Sequence, residues 1–261
     1  MIKASPKCWR AFSESILHIK EERVAGASTC GRWAAEAALE LCRCDPGLRE
    51  DTIARAAEMI EGANPSMATL SNVAELLRTF RTCRSLVPVL TALLHHLDRS
   101  PGLVAENLRR FLGGERPSVV TISFSSTVLR AAAEGLFSRV VVLESRPGGE
   151  GVDMALKLRS LGIDTALVPD ALAHTYVEQC DYVVFGADAV TGDGFVVNKV
   201  GSALLTHLAQ VFGKRVVVLT EAFKATIRPL SSLPMVRRTF ELPRWSGVEL
   251  PIFEPVPIDR V

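Results

Sequence analysis

A chain of 261 residues with 48% hydrophobic content can bury one or two ordinary cores. Its net charge of +1 argues against a globally basic nucleic-acid binder or a membrane-surface protein, and no apolar run approaches the ~20 residues that span a bilayer. The opening segment, M-I-K-A-S-P-K-C-W-R, lacks the continuous apolar stretch of a signal peptide. The six cysteines are scattered through helix-like sequence, so reduced thiols in a cytoplasmic protein are expected rather than disulfides or a metal site.

Residues 1–112 read as helical. Trp9, Phe12, Ile16 and Ile19 recur at helical spacing, as do Trp33, Ala37, Leu41 and then Ile53, Ala57, Ile60. Between the first two helices lies V-A-G-A-S-T, residues 24–29. Its glycine permits close backbone approach, and Ser28 or Thr29 is a candidate cap. A helix start of this kind attracts anions, although such a turn is more often a turn alone. Breaks at Asp45-Pro46-Gly47 and Ala63-Asn64-Pro65-Ser66 precede a helix through Leu70, Val73, Leu77 and Phe80. A helix over Val89–Leu97 follows. Its adjacent His95 and His96 face different directions and make no metal pair. A last helix opens at Ser100-Pro101-Gly102 and ends near Gly113.

From Arg116 the period changes to short apolar runs alternating with helices of about ten residues. Strands are expected at 119–124, 140–143, 165–168, 182–185 and 216–219. The fold class is therefore α/β: a helical amino-terminal domain (1–112) followed by a Rossmann-like, mostly parallel α/β domain (113–261). A proline-punctuated, extended carboxyl-terminal tail wraps the body or a partner; it carries Pro229, Pro234, Pro243, Pro251, Pro255 and Pro257.

Ligands of such sheets sit beyond the carboxyl ends of the strands, where this chain carries unusual polarity. Ser123, Ser125, Ser126 and Thr127 follow the first strand, and Arg146 stands among glycines after the second. Asp188, Asn198 and Lys199 follow the fourth, and Glu221 and Lys224 the fifth. Hydroxyls and helix-start amides cradle oxyanions, and a guanidinium offers a planar fork. Singly these residues read as caps or surface charges. Together they favour a phosphate-bearing metabolite. Neither G-x-G-x-x-G nor G-x-x-x-x-G-K-[ST] occurs, so no dinucleotide or other cofactor is expected.

At these positions the chain resembles the translation initiation factor 2B alpha/beta/delta family, which includes methylthioribose-1-phosphate isomerase and ribose-1,5-bisphosphate isomerase. The matching pieces are E-S-R-P-x-x-x-G at 144–151, V-V-F-G-A-D at 183–188, N-K-V-G-S at 198–202 and E-A-F-K at 221–224. Weaker matches are A-G-A at 25–27, P-S-M-A-T-L-S-N at 65–72 and T-I-S-F-S-S-T-V-L-R at 121–130. The resemblance implies that Asp188 stands at the isomerases' catalytic aspartate, and that Arg146, Asn198, Lys199 and Lys224 surround a sugar-phosphate pocket with Gly26 and Ala27 near a phosphate. It also implies a homodimer or higher homo-oligomer, with an initiation factor 2 subunit as a candidate partner. Departures are plain. The isomerases' cysteine turn reads Thr121-Ile122-Ser123-Phe124 here, making Ser123 its counterpart, and two arginines are replaced by Ala25 and Asn64. An aliphatic hydroxyl barely ionises where a thiol can. The expectation is thus a sugar-phosphate- or nucleoside-monophosphate-binding protein of regulatory kind. An active aldose–ketose isomerase and a translation-factor subunit are the alternatives.

Overall fold

The structure, a computed structural model, describes residues 4–22, 24–242 and 245–261. Met1–Lys3 of the opening segment and Pro243 of the tail lie outside the described residues. Five helices come first: α1 (Pro6–Glu21), α2 (Ala27–Cys44), α3 (Glu50–Ala63), α4 (Ala68–Phe80) and α5 (Cys83–Leu112). In α1 the buried Cys8, Phe12, Ile16 and Ile19 form one stripe, and Pro6 sits in the first turn, where its missing amide costs nothing. α2 buries small residues, among them Ala34, Ala35 and Ala38. A Cβ at Gly31 would strike Thr69 of α4, so these two helices meet closer than a larger residue permits.

Two expectations are corrected here. The sequence suggests two helices separated at Ser100-Pro101-Gly102, but α5 runs for 30 residues through Pro88 and Pro101. A proline at 101 forfeits one hydrogen bond, to the Leu97 carbonyl. The buried stripe Leu86, Leu90, Leu93, Leu97, Ala105, Leu108, Leu112 continues across it and outweighs that loss. The cysteines, expected as thiols, form two disulfides, Cys8–Cys44 and Cys42–Cys83. Packing of α1, α2 and α5 brings together residues 36 and 41 positions apart, a proximity no spacing reveals. Cys42 and Cys44 point to different helices, as their separation of two demands. Cys30 and Cys180 stay free and buried.

A Rossmann-like unit follows: β1 (Ser118–Thr121), α6 (Ser126–Ala133), β2 (Arg139–Leu143), α7 (Glu150–Ser160), β3 (Thr165–Val168), α8 (Ala173–Gln179), β4 (Tyr182–Phe185), β5 (Ala189–Val190), β6 (Phe195–Lys199), α9 (Ser202–Val211) and β7 (Arg215–Val218). Five strands form a parallel sheet in the order β3-β2-β1-β4-β7. Its valine-rich strands are covered on both faces, as a parallel sheet requires. Val119, Val140, Val142 and Val184 face the end of α5 with α6 and α7, whereas Val120, Val141, Val183 and Phe185 face α8 and α9. The order reverses between β1 and β4, and there a crevice opens.

The tail is extended but not loose. β8 (Arg237–Leu242) and β9 (Trp245–Pro251) make a hairpin, and β10 (Phe253–Pro257) pairs antiparallel with β6, which in turn pairs with β5. Pro255 and Pro257 sit on the edge strand, where a missing donor is tolerated. Ala189, Val197, Ile252 and Phe253, in and beside this small sheet, join the core of the helical half and lock the two halves together.

Candidate functional site

The crevice between β1 and β4 is walled on its third side by the α1–α2 turn. The sequence-identified residues Gly26, Ala27, Ser123, Ser125, Ser126, Asp188, Asn198, Lys199 and Lys224 line it together with Glu22, Ser28, Glu150, Arg238 and Phe253. The crevice is narrow and partly open to solvent, with about 60 Å³ in which the centre of a water-sized sphere can move.

Each side chain has a local reason for its place. The sheet order sets the β1 and β4 loops side by side, and a Cβ at Gly186 would collide with the Ser125 hydroxyl, so glycine is what lets them touch. Ser125 caps α6, accepting from the Val128 amide, and shares a 2.9 Å hydrogen bond with Thr127, which donates to the Leu219 carbonyl. Ser123 has φ +66°, in the left-handed region.

Asp188 leaves β4 with its backbone pinned twice. Its amide donates to Val197 of β6 and its carbonyl accepts from Ala68 at the start of α4. The residue is 8% exposed. Burial pushes its carboxyl up to about 6, with Glu150 adding to the rise, while Lys224, the Ala27 amide and Lys199 oppose it. The α2 amino terminus thus meets a carboxylate of the protein itself. Burial also drives the Cys30 thiol to about 12, helped by Asp188 and Glu22; at neutral pH it is a protonated, inert group.

Asn198 and Lys199 stand just ahead of α9, as expected, and are the last two residues of strand β6. The Asn198 side-chain Nδ2 donates to the Ser202 hydroxyl at 2.8 Å. Lys199, 5% exposed at its side chain, reaches Glu150 at 2.6 Å. Lys224 lies 3.7 Å from the buried Glu221, which accepts from the Ser28 hydroxyl at 2.7 Å.

Arg146 is not brought to this cleft: it is exposed, with its guanidinium 3.2 Å from Glu144, although its amide donates to Asp170. Of the two positions where the resemblance expects arginines, Ala25 lines the wall, and the Asn64 side chain accepts from the Ser66 amide in a local turn. Glu150, Arg238 and Glu22 line the site without a sequence signal that marks them. A carboxylate opening a helix reads as a dipole complement, and Arg238 lies in the tail hairpin, far along the chain.

Fold and cleft together define a Rossmann-like α/β protein with a buried polar crevice at its topological switch point, closed by a helical layer. The chain belongs to the Initiation factor 2 subunit family, whose pattern matches residues 24–237. It is 34% identical over 197 residues to the putative translation initiation factor eIF-2B subunit 2-like protein of Pyrococcus horikoshii, covering 74% of this chain and 71% of that one. It is 28% identical over 256 residues to the ribose 1,5-bisphosphate isomerase of Methanocaldococcus jannaschii, covering 93% and 81%. The crystal structure of the translation initiation factor eIF-2B of Pyrococcus horikoshii OT3 superposes with a TM-score of 0.89 at 26% identity over 98% of this chain and 94% of that one. The 5-methylthioribose 1-phosphate isomerase from the same organism shares the fold, with a TM-score of 0.68 at 16% identity over 96% and 81%.

Proposed function

We propose that the chain binds a small phosphorylated metabolite, a sugar phosphate or a nucleoside monophosphate, in the β1/β4 cleft and serves as a regulatory member of its family. The observation that carries this reading is the convergence on one buried crevice of Asp188, Lys199, Lys224 and the Ser123–Ser126 hydroxyls. Lys199 and Lys224 are paired with Glu150 and Glu221, but burial leaves the Asp188 carboxyl with a desolvation cost that a ligand can offset. The test is a thermal-shift panel of ribose 5-phosphate, ribose 1,5-bisphosphate, methylthioribose 1-phosphate and AMP. A ligand that binds only the folded chain raises its melting temperature. No shift with any of the four overturns the reading.

A second reading is favoured by the Asp188 carboxyl near 6, the range of an effective general acid or base. In an aldose–ketose isomerase of ribose phosphates, Asp188 moves a proton at the ring oxygen and C2, and Ser123 or water stands in for the thiol. The Methanocaldococcus jannaschii relative, a ribose 1,5-bisphosphate isomerase, supports it. Turnover of ribose 1,5-bisphosphate or methylthioribose 1-phosphate, followed by phosphorus NMR and abolished by Asp188→Asn, would establish this activity.

The eIF-2B relatives support a third role, a cytoplasmic translation-factor subunit that pulls down an initiation factor 2 subunit. A structure of the same fold is a tetrameric eIF2B-beta2-delta2 complex, built from two kinds of subunit, which is in keeping with an oligomeric assembly for this chain. Among the described residues no helix is long and apolar enough to cross a membrane.

A further inference from the structure

Glu150, the first residue of α7, is assigned no role in the binding proposed for the cleft, yet it is built into the wall. Its Oε1 accepts from Lys199 Nζ at 2.6 Å; the side chains are 11% and 5% exposed. Its Oε2 is buried and meets no donor among the described residues. A Cβ at Gly148 would run into this carboxylate, so the loop before α7 keeps its position clear. A buried carboxylate oxygen without a donor is costly, and the Glu150 side chain that carries it is one of the residues lining the crevice.

The charges nearby decide what it can receive. Lys199 is neutralised by Glu150, and Lys224 lies against Glu221. Asp188 contributes a second carboxylate close enough for Glu150 to raise its pKa. A phosphate brought to the Lys199 end would meet carboxylates at least as numerous as cations, whereas a hydroxyl would give Oε2 the hydrogen-bond donor it lacks.

Resting on the reading of the cleft as a phosphometabolite site, we infer that Glu150 is a specificity residue. Its free oxygen accepts a hydrogen bond from a ligand hydroxyl, and its charge excludes a second phosphate from the Lys199 end. The ligand is therefore a sugar monophosphate rather than a bisphosphate.

Calorimetric titration of the full chain with ribose 5-phosphate and ribose 1,5-bisphosphate tests this. The wild type binds the monophosphate at least about tenfold more tightly. Glu150→Gln keeps the shape, removes the charge that cancels Lys199, and narrows or reverses that ratio. Gly148→Ala, which pushes the carboxylate aside without touching it chemically, changes the ratio in the same direction and serves if Glu150→Gln fails to fold. A wild-type preference for the bisphosphate, or a ratio unmoved in both variants, overturns the inference and leaves the binding reading standing. Binding of neither compound, with no response to methylthioribose 1-phosphate or AMP, overturns both.

Discussion

Ser123 and Ser145, on the loops after the adjacent strands β1 and β2, are both held at positive φ, +66° and +67°, and are tied to each other. The Ser123 amide donates to the Ser145 hydroxyl at 2.6 Å. Ser145 in turn donates to the Leu143 carbonyl, and its own amide donates to Asp170. Two non-glycine residues in the left-handed region each cost on the order of 1 kcal/mol. The network over-determines them and sets Ser123 against the cleft. Ser145→Ala removes the acceptor of the Ser123 amide in a fully buried place. The expected loss is about 1–3 kcal/mol in urea denaturation. A loss below roughly 0.5 kcal/mol would mean the amide finds another acceptor and Ser123 is not held this way.

The disulfides give a prediction that needs no mutation. Cys8–Cys44 and Cys42–Cys83 fasten α1 and α5 to the end of α2. Closing loops of 36 and 41 residues restricts the unfolded chain, worth typically about 2–4 kcal/mol each. In protein denatured without reductant, only Cys30 and Cys180 should react with a thiol reagent; after reduction all six should. Reduction should also lower the melting temperature. Six reactive thiols before reduction would rule the bridges out.

The disulfides also mark where sequence reading stops. The valine runs of β1, β2 and β4 were legible because a strand buried on both faces must be apolar throughout, and the half-buried edge strand β7 keeps the same run. Asp188 was legible because a carboxylate that ends such a strand falls where open sheets bind their ligands. Cysteine pairing was not, since it depends on how three helices pack. Nor was the continuity of α5, where burial on both sides of Pro101 overrides a local breaking signal. That Asn198 and Lys199 also end a strand was not legible, because β6 is paired by β10, a partner more than fifty residues away. Glu150 was hidden for a different reason: its significance lies in the missing donor at Oε2, which only the assembled wall reveals.

Lys224 and Glu221 form a buried pair under the cleft floor, 5% and 1% exposed at their side chains. Removing one member leaves an uncompensated charge. Lys224→Met is therefore expected to cost about 3–5 kcal/mol, with the Ser28 hydroxyl as the remaining donor to Glu221. The double variant Lys224→Met/Glu221→Gln should recover much of that loss. The resulting coupling, from a double-mutant cycle in chemical denaturation, should be about 1–3 kcal/mol. Additive effects would show that the 3.7 Å contact carries no interaction. Because Lys224 holds the Asp188 carboxyl down, Lys224→Met should also raise that carboxyl above its present value near 6.

Asp188 itself should make stability depend on pH in the unusual direction for a carboxylate. Its folded pKa, about 6, lies above the ordinary value of 3.8, so between those values the folded chain holds a proton that the unfolded chain has released. Stability from this group is present below pH ~4, declines as pH rises to about 6, and is flat above. The shift of about two units corresponds to roughly 3 kcal/mol of destabilisation at pH 7. Asp188→Asn cannot ionise and escapes that penalty, while its side-chain oxygen can still face the Ala27 amide. The variant should therefore be more stable than the wild type at pH ~7.5 by up to about 3 kcal/mol and indistinguishable from it at pH ~4. Paired urea titrations at the two pH values measure this difference and cancel the acid sensitivity of every other carboxylate. A site maintained against stability in this way is one kept for a ligand or a proton. Equal stabilities at both pH values, or a variant weaker at the higher pH, would mean that Asp188 is an ordinary ionised partner of Lys224 and Lys199, and the case for it as an acid–base group would fall.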